Sequence, residues 1–354
     1  MRRPEPTLPQ ILQKVSRSFG LSIRLLPTAL REPVGVAYLL ARISDTVADS
    51  SAAPVTQRLA LLEQLAQGWQ EQASAPAGAA LARTLYDFAP HASDLHEKAL
   101  LTQGEACLQL LAQQRAIDQQ LIREVLAAIT EGQRWDLSAL DASGQGVASE
   151  QEVERYTWWV AGSVGEFWTR LCDAHLPHWH RASTTDMLQW GAHYGQGLQR
   201  LNILRDAGPD LRAGRCYFPA QSLAPLGLDA ATLCAAVQAE DVATLSRLEP
   251  LLQTWQHQTE ALLHDGLRYS LALRGHRLRL ASALPGLIGV RTLALLRQAG
   301  AQALLQHHKL PRRTLHRLLA ALVLGGVSDR QLRASWQAGL GPLAASPLSA
   351  RIGP

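Results

Sequence analysis

Cysteine is scarce in this 354-residue chain: Cys107, Cys172, Cys216 and Cys234 stand alone, with no paired spacing. That pattern argues against a disulfide framework and a zinc site and fits a reducing, cytoplasmic setting. β-branched residues are few beside Leu, Ala, Gln and Arg, which favours helix over strand throughout. Long apolar runs are missing as well. The longest, Leu318 to Val327, is ten residues with two glycines, too short to span a bilayer. Met1-Arg2-Arg3-Pro4-Glu5-Pro6 is not followed by an apolar segment, so no secretory signal is expected. A Gly-rich dinucleotide fingerprint is absent. The formal charge of +4 suits anionic substrates or acidic headgroups at a membrane periphery, but is too small to point to nucleic acid.

With 47% hydrophobic and 18% charged residues, the chain can bury a large core. Apolar periodicity predicts helices over 33–49, 55–70, 78–113, 118–140, 152–172, 184–207, 229–240, 243–276, 280–300 and 310–325. Helices joined by short loops, without a repeat of 20 to 50 residues, imply a single all-α bundle over 1–354. His175, His178 and His180 fall around Pro177 with irregular spacing and read as loop histidines rather than a ligand set.

Against this apolar background two carboxylate pairs share one spacing: Asp45 with Asp49, and Asp206 with Asp210. An i,i+4 spacing puts both carboxylates on one helix face, where they repel by about 0.2–0.5 kcal/mol. Mg²⁺ would offset that cost, since it is held by one or two carboxylates together with water and substrate phosphate oxygens. Tyr38, Arg42, Asp45 and Asp49 step by four, three and four along one stripe, and Gln199, Asn202, Asp206 and Asp210 step by three, four and four. Arg42, Arg205 and Arg215 are placed to bind diphosphate oxygens, or to form ordinary helix and cap ion pairs. Pro209 removes a backbone donor and disfavours helical geometry at Gly208, so Asp210 is expected to leave the helix face, with Asp206 the firmer member.

Taken in order and spacing, Ser16-Arg17-Ser18-Phe19, the Tyr38 to Asp49 stripe, Gly132-x-x-x-Asp136-Leu137, Tyr156-x-x-x-Val160-Ala161-Gly162-Ser163-Val164-Gly165 and Leu198 to Pro219 resemble the squalene/phytoene synthase family. The resemblance covers residues 10 to 300, leaving C-terminal helices over 301–340. It implies a single-domain all-α isoprenoid synthase bundle with a central active-site cavity, and head-to-head condensation of two prenyl diphosphates, farnesyl diphosphate first among them.

By the same resemblance, Asp45, Asp49, Asp206 and Asp210 bind diphosphate through Mg²⁺. Ser16, Arg17, Ser18, Phe19, Tyr38, Arg42, Gln199, Asn202, Arg205, Arg215 and Tyr217 line the diphosphate site, and Tyr156 handles the proton or the cation. Gly162 and Gly165 admit a prenyl chain or pack two helices together. The first motif, Asp45-Thr46-Val47-Ala48-Asp49, and the segment from Ser282 to Leu293 look like squalene synthases, which reduce the rearranged cation with NADPH. Lys309, Arg312 and Arg313 are candidates for the cofactor phosphates, or else form a solvated helix start or a membrane-surface patch. A synthase that stops before reduction and a non-catalytic binding factor are the competing readings.

Overall fold

The computed structural model describes residues 12, 23, 26–70, 75–140, 146–306, 308–324 and 327–341. Helices follow one another as α1 (Thr28–Asp49), α2 (Val55–Gln70), α3 (Ala75–Phe88), α4 (Leu95–Leu101), α5 (Gly104–Ala112), α6 (Ala116–Ala139), α7 (Glu150–Thr157) and α8 (Ser163–His175). Then come α9 (Thr184–Arg212), α10 (Ala220–Leu223), α11 (Ala230–Gln238), α12 (Val242–Ser246), α13 (Glu249–Ala272), α14 (His276–Ala299), α15 (Arg312–Leu324) and α16 (Asp329–Leu340). Among the described residues no strand forms, and His180 and Leu273 make an isolated antiparallel bridge. The chain divides into two compact units, residues 1–138 with 167–177 and residues 139–166 with 178–354.

In the first unit, α1 buries Val36, Leu39, Leu40, Ile43 and Val47 at helical spacing, which leaves Tyr38, Arg42, Asp45 and Asp49 on a more open face. The helix starts at Thr28, five residues before the expected Pro33, because a proline within the early turns costs a single backbone bond. The continuous helix predicted over 78–113 is broken. Pro90 sits in a 3₁₀ turn, Ala89–His91, and Asp94 then caps α4 by accepting from the backbone N–H of His96 and Glu97 at 2.7 and 3.1 Å. His175 is not a loop residue. It ends α8, and its Nε2 lies 2.6 Å from Asp118 Oδ1, with both side chains under 10% exposed. Buried Trp69 donates from Nε1 to Thr130 Oγ1 at 3.1 Å. Thr130→Val removes that acceptor, and a loss of about 1–3 kcal/mol is expected in urea unfolding.

The second unit is organised on α9, a helix of 29 residues that packs along α13 and α14. Arg200 on α9 is buried and donates to Glu150 Oε2 at 2.8 Å and to Gln258 Oε1 at 2.5 Å, with its guanidinium 4.9 Å from the Trp255 ring centroid. Glu150 also accepts from Trp255 Nε1 at 2.8 Å and Ser222 Oγ at 3.2 Å. A buried guanidinium is tolerated only when its hydrogen bonds are satisfied, and this network ties α7 to α9, α10 and α13. The helix predicted over 243–276 splits between Ser246 and Glu249, where Pro250 favours a fresh start.

The segment His276–Leu304 is long and apolar enough to cross a membrane, contrary to the expectation from uninterrupted runs, which arginines such as Arg279 and Arg291 break up. Over its most apolar window 56% is buried inside the protein, as a core helix would be.

Candidate active site

The first acid pair is built on α1. Arg42 Nη1 meets Asp45 Oδ2, one turn on, and its Nη2 meets Glu97 Oε1 from α4. Burial lowers the Arg42 pKa, but Asp45, Glu97 and Tyr38 outweigh it and leave the guanidinium firmly charged. Although 42% of the Asp45 side chain is open, the protein crowding its carboxyl raises its pKa, with Arg42 pulling the other way. Asp49 is exposed at the helix end.

The second acid pair is built on α9. Arg205 grips Asp206 with both arms of its fork, Nε to Oδ1 at 2.9 Å and Nη2 to Oδ2 at 2.5 Å, and that hydrogen bonding is the main cause of its raised pKa. Asn202 Nδ2 donates to Gln199 Oε1 at 3.3 Å one turn earlier. The expectation that Asp210 leaves the helix is not met: α9 runs unbroken through Pro209 to Arg212. Pro209 is exposed, so its missing donor falls on an outer face, and the buried Gly208 packs closely against Leu304. A Cβ at Gly208 would lie 2.1 Å from Leu304 O.

The end of α9 then turns the chain back onto the acid pair. Gly214 adopts φ +80°, its N–H donates to Leu211 O at 3.0 Å, and Arg215 N–H donates to Asp210 O at 2.8 Å. This paired closure needs a left-handed residue just past the helix, which glycine adopts without steric cost. It returns the Arg215 side chain to Asp210, with Nε 3.8 Å from Oδ1, and lets Nη2 donate to the Tyr217 hydroxyl at 2.5 Å. Tyr217 stacks on Tyr156, with ring centroids 5.6 Å apart and planes 26° apart, and both are buried. Asp210, Arg215, Tyr217 and Tyr156 thus form one chain of contacts.

Immediately after Tyr156 the backbone widens into a π-helical turn, Trp158–Gly162, a form often found at functional sites. Trp158 Nε1 crosses it to donate to Glu166 Oε1 at 3.0 Å. The glycines here are set by packing. A Cβ on Gly165 would lie 1.9 Å from Gly191 O, and one on Gly195 would lie 2.1 Å from Ala161 O. A Cβ on Gly162 would lie 2.8 Å from Trp158 Cδ1, 3.1 Å from Gln196 Cγ and 3.3 Å from Ala192 O.

Among the other sequence candidates, Ser16, Arg17, Ser18 and Phe19 lie outside the described residues. Lys309, Arg312 and Arg313 are exposed before and at the start of α15. So placed, they offer charge to cofactor phosphates from an exposed position, which is a weak fit to a dinucleotide. The acid pairs suit Mg²⁺ better: oxygen donors one turn apart leave most of the coordination sphere to phosphate and water. Among the described residues no group of three or more His, Cys, Asp or Glu forms a complete cage. Glu97 and Glu150 were not singled out in the sequence, because their partners lie 55 and 50 residues away and neither belongs to a polar stripe.

The family model for squalene/phytoene synthase matches residues 12–318. A presqualene diphosphate synthase from Rhodopseudomonas palustris is 30% identical over 71% of this chain and 74% of its own length. A squalene synthase from Saccharomyces cerevisiae is 27% identical over 59% of this chain, which spans only 44% of the yeast protein. The solved structure of TcSQS with the ligand BPH1237 superimposes with a TM-score of 0.73 over 94% of this chain and 89% of that one, at 20% identity. The architecture is the all-α isoprenoid synthase fold, and the chain belongs to the squalene/phytoene synthase family.

Proposed function

We propose that this protein condenses two farnesyl diphosphates head to head into presqualene diphosphate. The observation that carries the reading is the repeated arrangement of an Asp pair on a long helix with arginine on its carboxylates: Arg42 on Asp45, Arg205 on Asp206 and Arg215 on Asp210. Each such pair would bind a diphosphate once a divalent ion shares its carboxylates. Mg²⁺ held by Asp45 and Asp49, or by Asp206 and Asp210, would draw charge onto the leaving diphosphate.

The remaining work falls to the side chains. Arg42, Arg205 and Arg215 turn from their carboxylates to phosphate oxygens, which favours ionisation of the allylic C–O bond. The second substrate's double bond attacks the allylic cation, and loss of a proton closes the cyclopropane ring. Tyr156 takes that proton or steadies the cation with its ring, and Tyr217 and Arg215 hold it in register with Asp210.

A second reading adds reduction by NADPH to squalene. Its support is the resemblance of Asp45-Thr46-Val47-Ala48-Asp49 to squalene synthases, together with the yeast relative. Lys309 and Arg312 are the residues it would use, and no reductive step is derived from their exposed positions. Cytoplasmic placement with peripheral membrane contact belongs to either reading, since the products are hydrocarbon-rich. The test is mass spectrometry of products from purified protein given C15 or C20 diphosphates with Mg²⁺, with and without NADPH. Presqualene diphosphate under both conditions is expected; squalene with NADPH supports the second reading, and no coupled product sinks both.

A further inference from the structure

Arg42 joins two helices beside the first acid pair. The Asp94 cap sets the start of α4, and Glu97 on its first turn delivers Oε1 to Arg42 Nη2 while Nη1 of the same guanidinium meets Asp45. The Arg42–Asp45 contact is an i,i+3 pair that needs nothing else to form. Left as a closed pair, it would compete with any divalent cation for the Asp45 carboxylate. Glu97, only 21% exposed, gives the arginine a second anion that it keeps when Asp45 turns away. It also leaves the group of Arg42, Asp45, Asp49 and Glu97 with net negative charge, which attracts a cation.

We propose that Glu97 is a positioning residue that retains Arg42 on α4 and so frees Asp45 for a divalent cation. Glu97 does not itself touch the metal. The inference rests on reading Asp45 and Asp49 as a metal-binding pair. Outer partners of metal ligands typically tune affinity by about 10- to 100-fold, and a half-open site falls at the low end of that range.

The test titrates Mn²⁺ into the full-length protein and reads the free ion by electron paramagnetic resonance, in an Asp206→Asn background that silences the second pair. Glu97→Gln is expected to weaken Mn²⁺ binding about tenfold without lowering the thermal midpoint, and Glu97→Asp to restore part of it. The Mg²⁺ concentration for half-maximal turnover, measured without the Asp206 change, should rise in parallel. Unchanged Mn²⁺ affinity in Glu97→Gln overturns the proposal, as does a loss that simply tracks a lower midpoint. If the Asp206→Asn protein with Glu97 intact binds no Mn²⁺, the metal reading fails first and this inference with it. Normal binding there, with no effect of Glu97→Gln, rejects the inference alone.

Discussion

Asp206→Asn is expected to lower turnover of farnesyl diphosphate by about a thousandfold while leaving the fold intact. Asn keeps the shape of the side chain but loses the charge that a divalent ion requires, and it releases Arg205 from a two-pronged grip. The stability cost should be about 1 kcal/mol or less, because Arg205 and Asp206 are each 37% exposed and ion pairs this open are screened by water. Steady-state turnover with varied Mg²⁺, beside thermal unfolding of the same preparation, separates the two effects. A variant with wild-type turnover and wild-type Mg²⁺ dependence would remove Asp206 from the site.

Gly165→Ala is expected to do the reverse, costing about 3 kcal/mol or more in stability. The added Cβ meets Gly191 O at 1.9 Å, Gly191 C at 2.4 Å and Ala192 N at 3.1 Å, all of them backbone atoms that no rotamer change can move aside. The start of α8 must therefore separate from α9, and with it the packing beside the π-helical turn that follows Tyr156. Urea unfolding of the variant against wild type measures the loss. If Gly165 instead served only to admit substrate, the alanine protein would be as stable as wild type and merely less active. Gly195→Ala, which meets Ala161 O at 2.1 Å from the facing helix, is a matched control for the same contact.

The helical class, the two acid stripes and their order along the chain were legible because each depends on spacing within one helix. The 3.6-residue repeat puts Val36, Leu40, Ile43 and Val47 on the buried side of α1 and keeps Asp45 and Asp49 off it, whatever the helix packs against. Pro209 departs from its local expectation for a related reason: proline's preference argues for a break, but it costs one backbone bond on an exposed face. The packing of Gly208 on Leu304 and the closure at Gly214 hold the helix through it.

Two Asp pairs with arginines nearby follow from local spacing alone, since the helical repeat sets which residues share a face. Tertiary structure decided which group each arginine meets and what Tyr156 rests on. Arg42 reaches Glu97 across 55 residues, Arg200 reaches Glu150 across 50, and Tyr156 stacks on Tyr217 from a different segment. Contacts of that range arise when packed helices bring distant side chains together, and no periodicity along the chain encodes them.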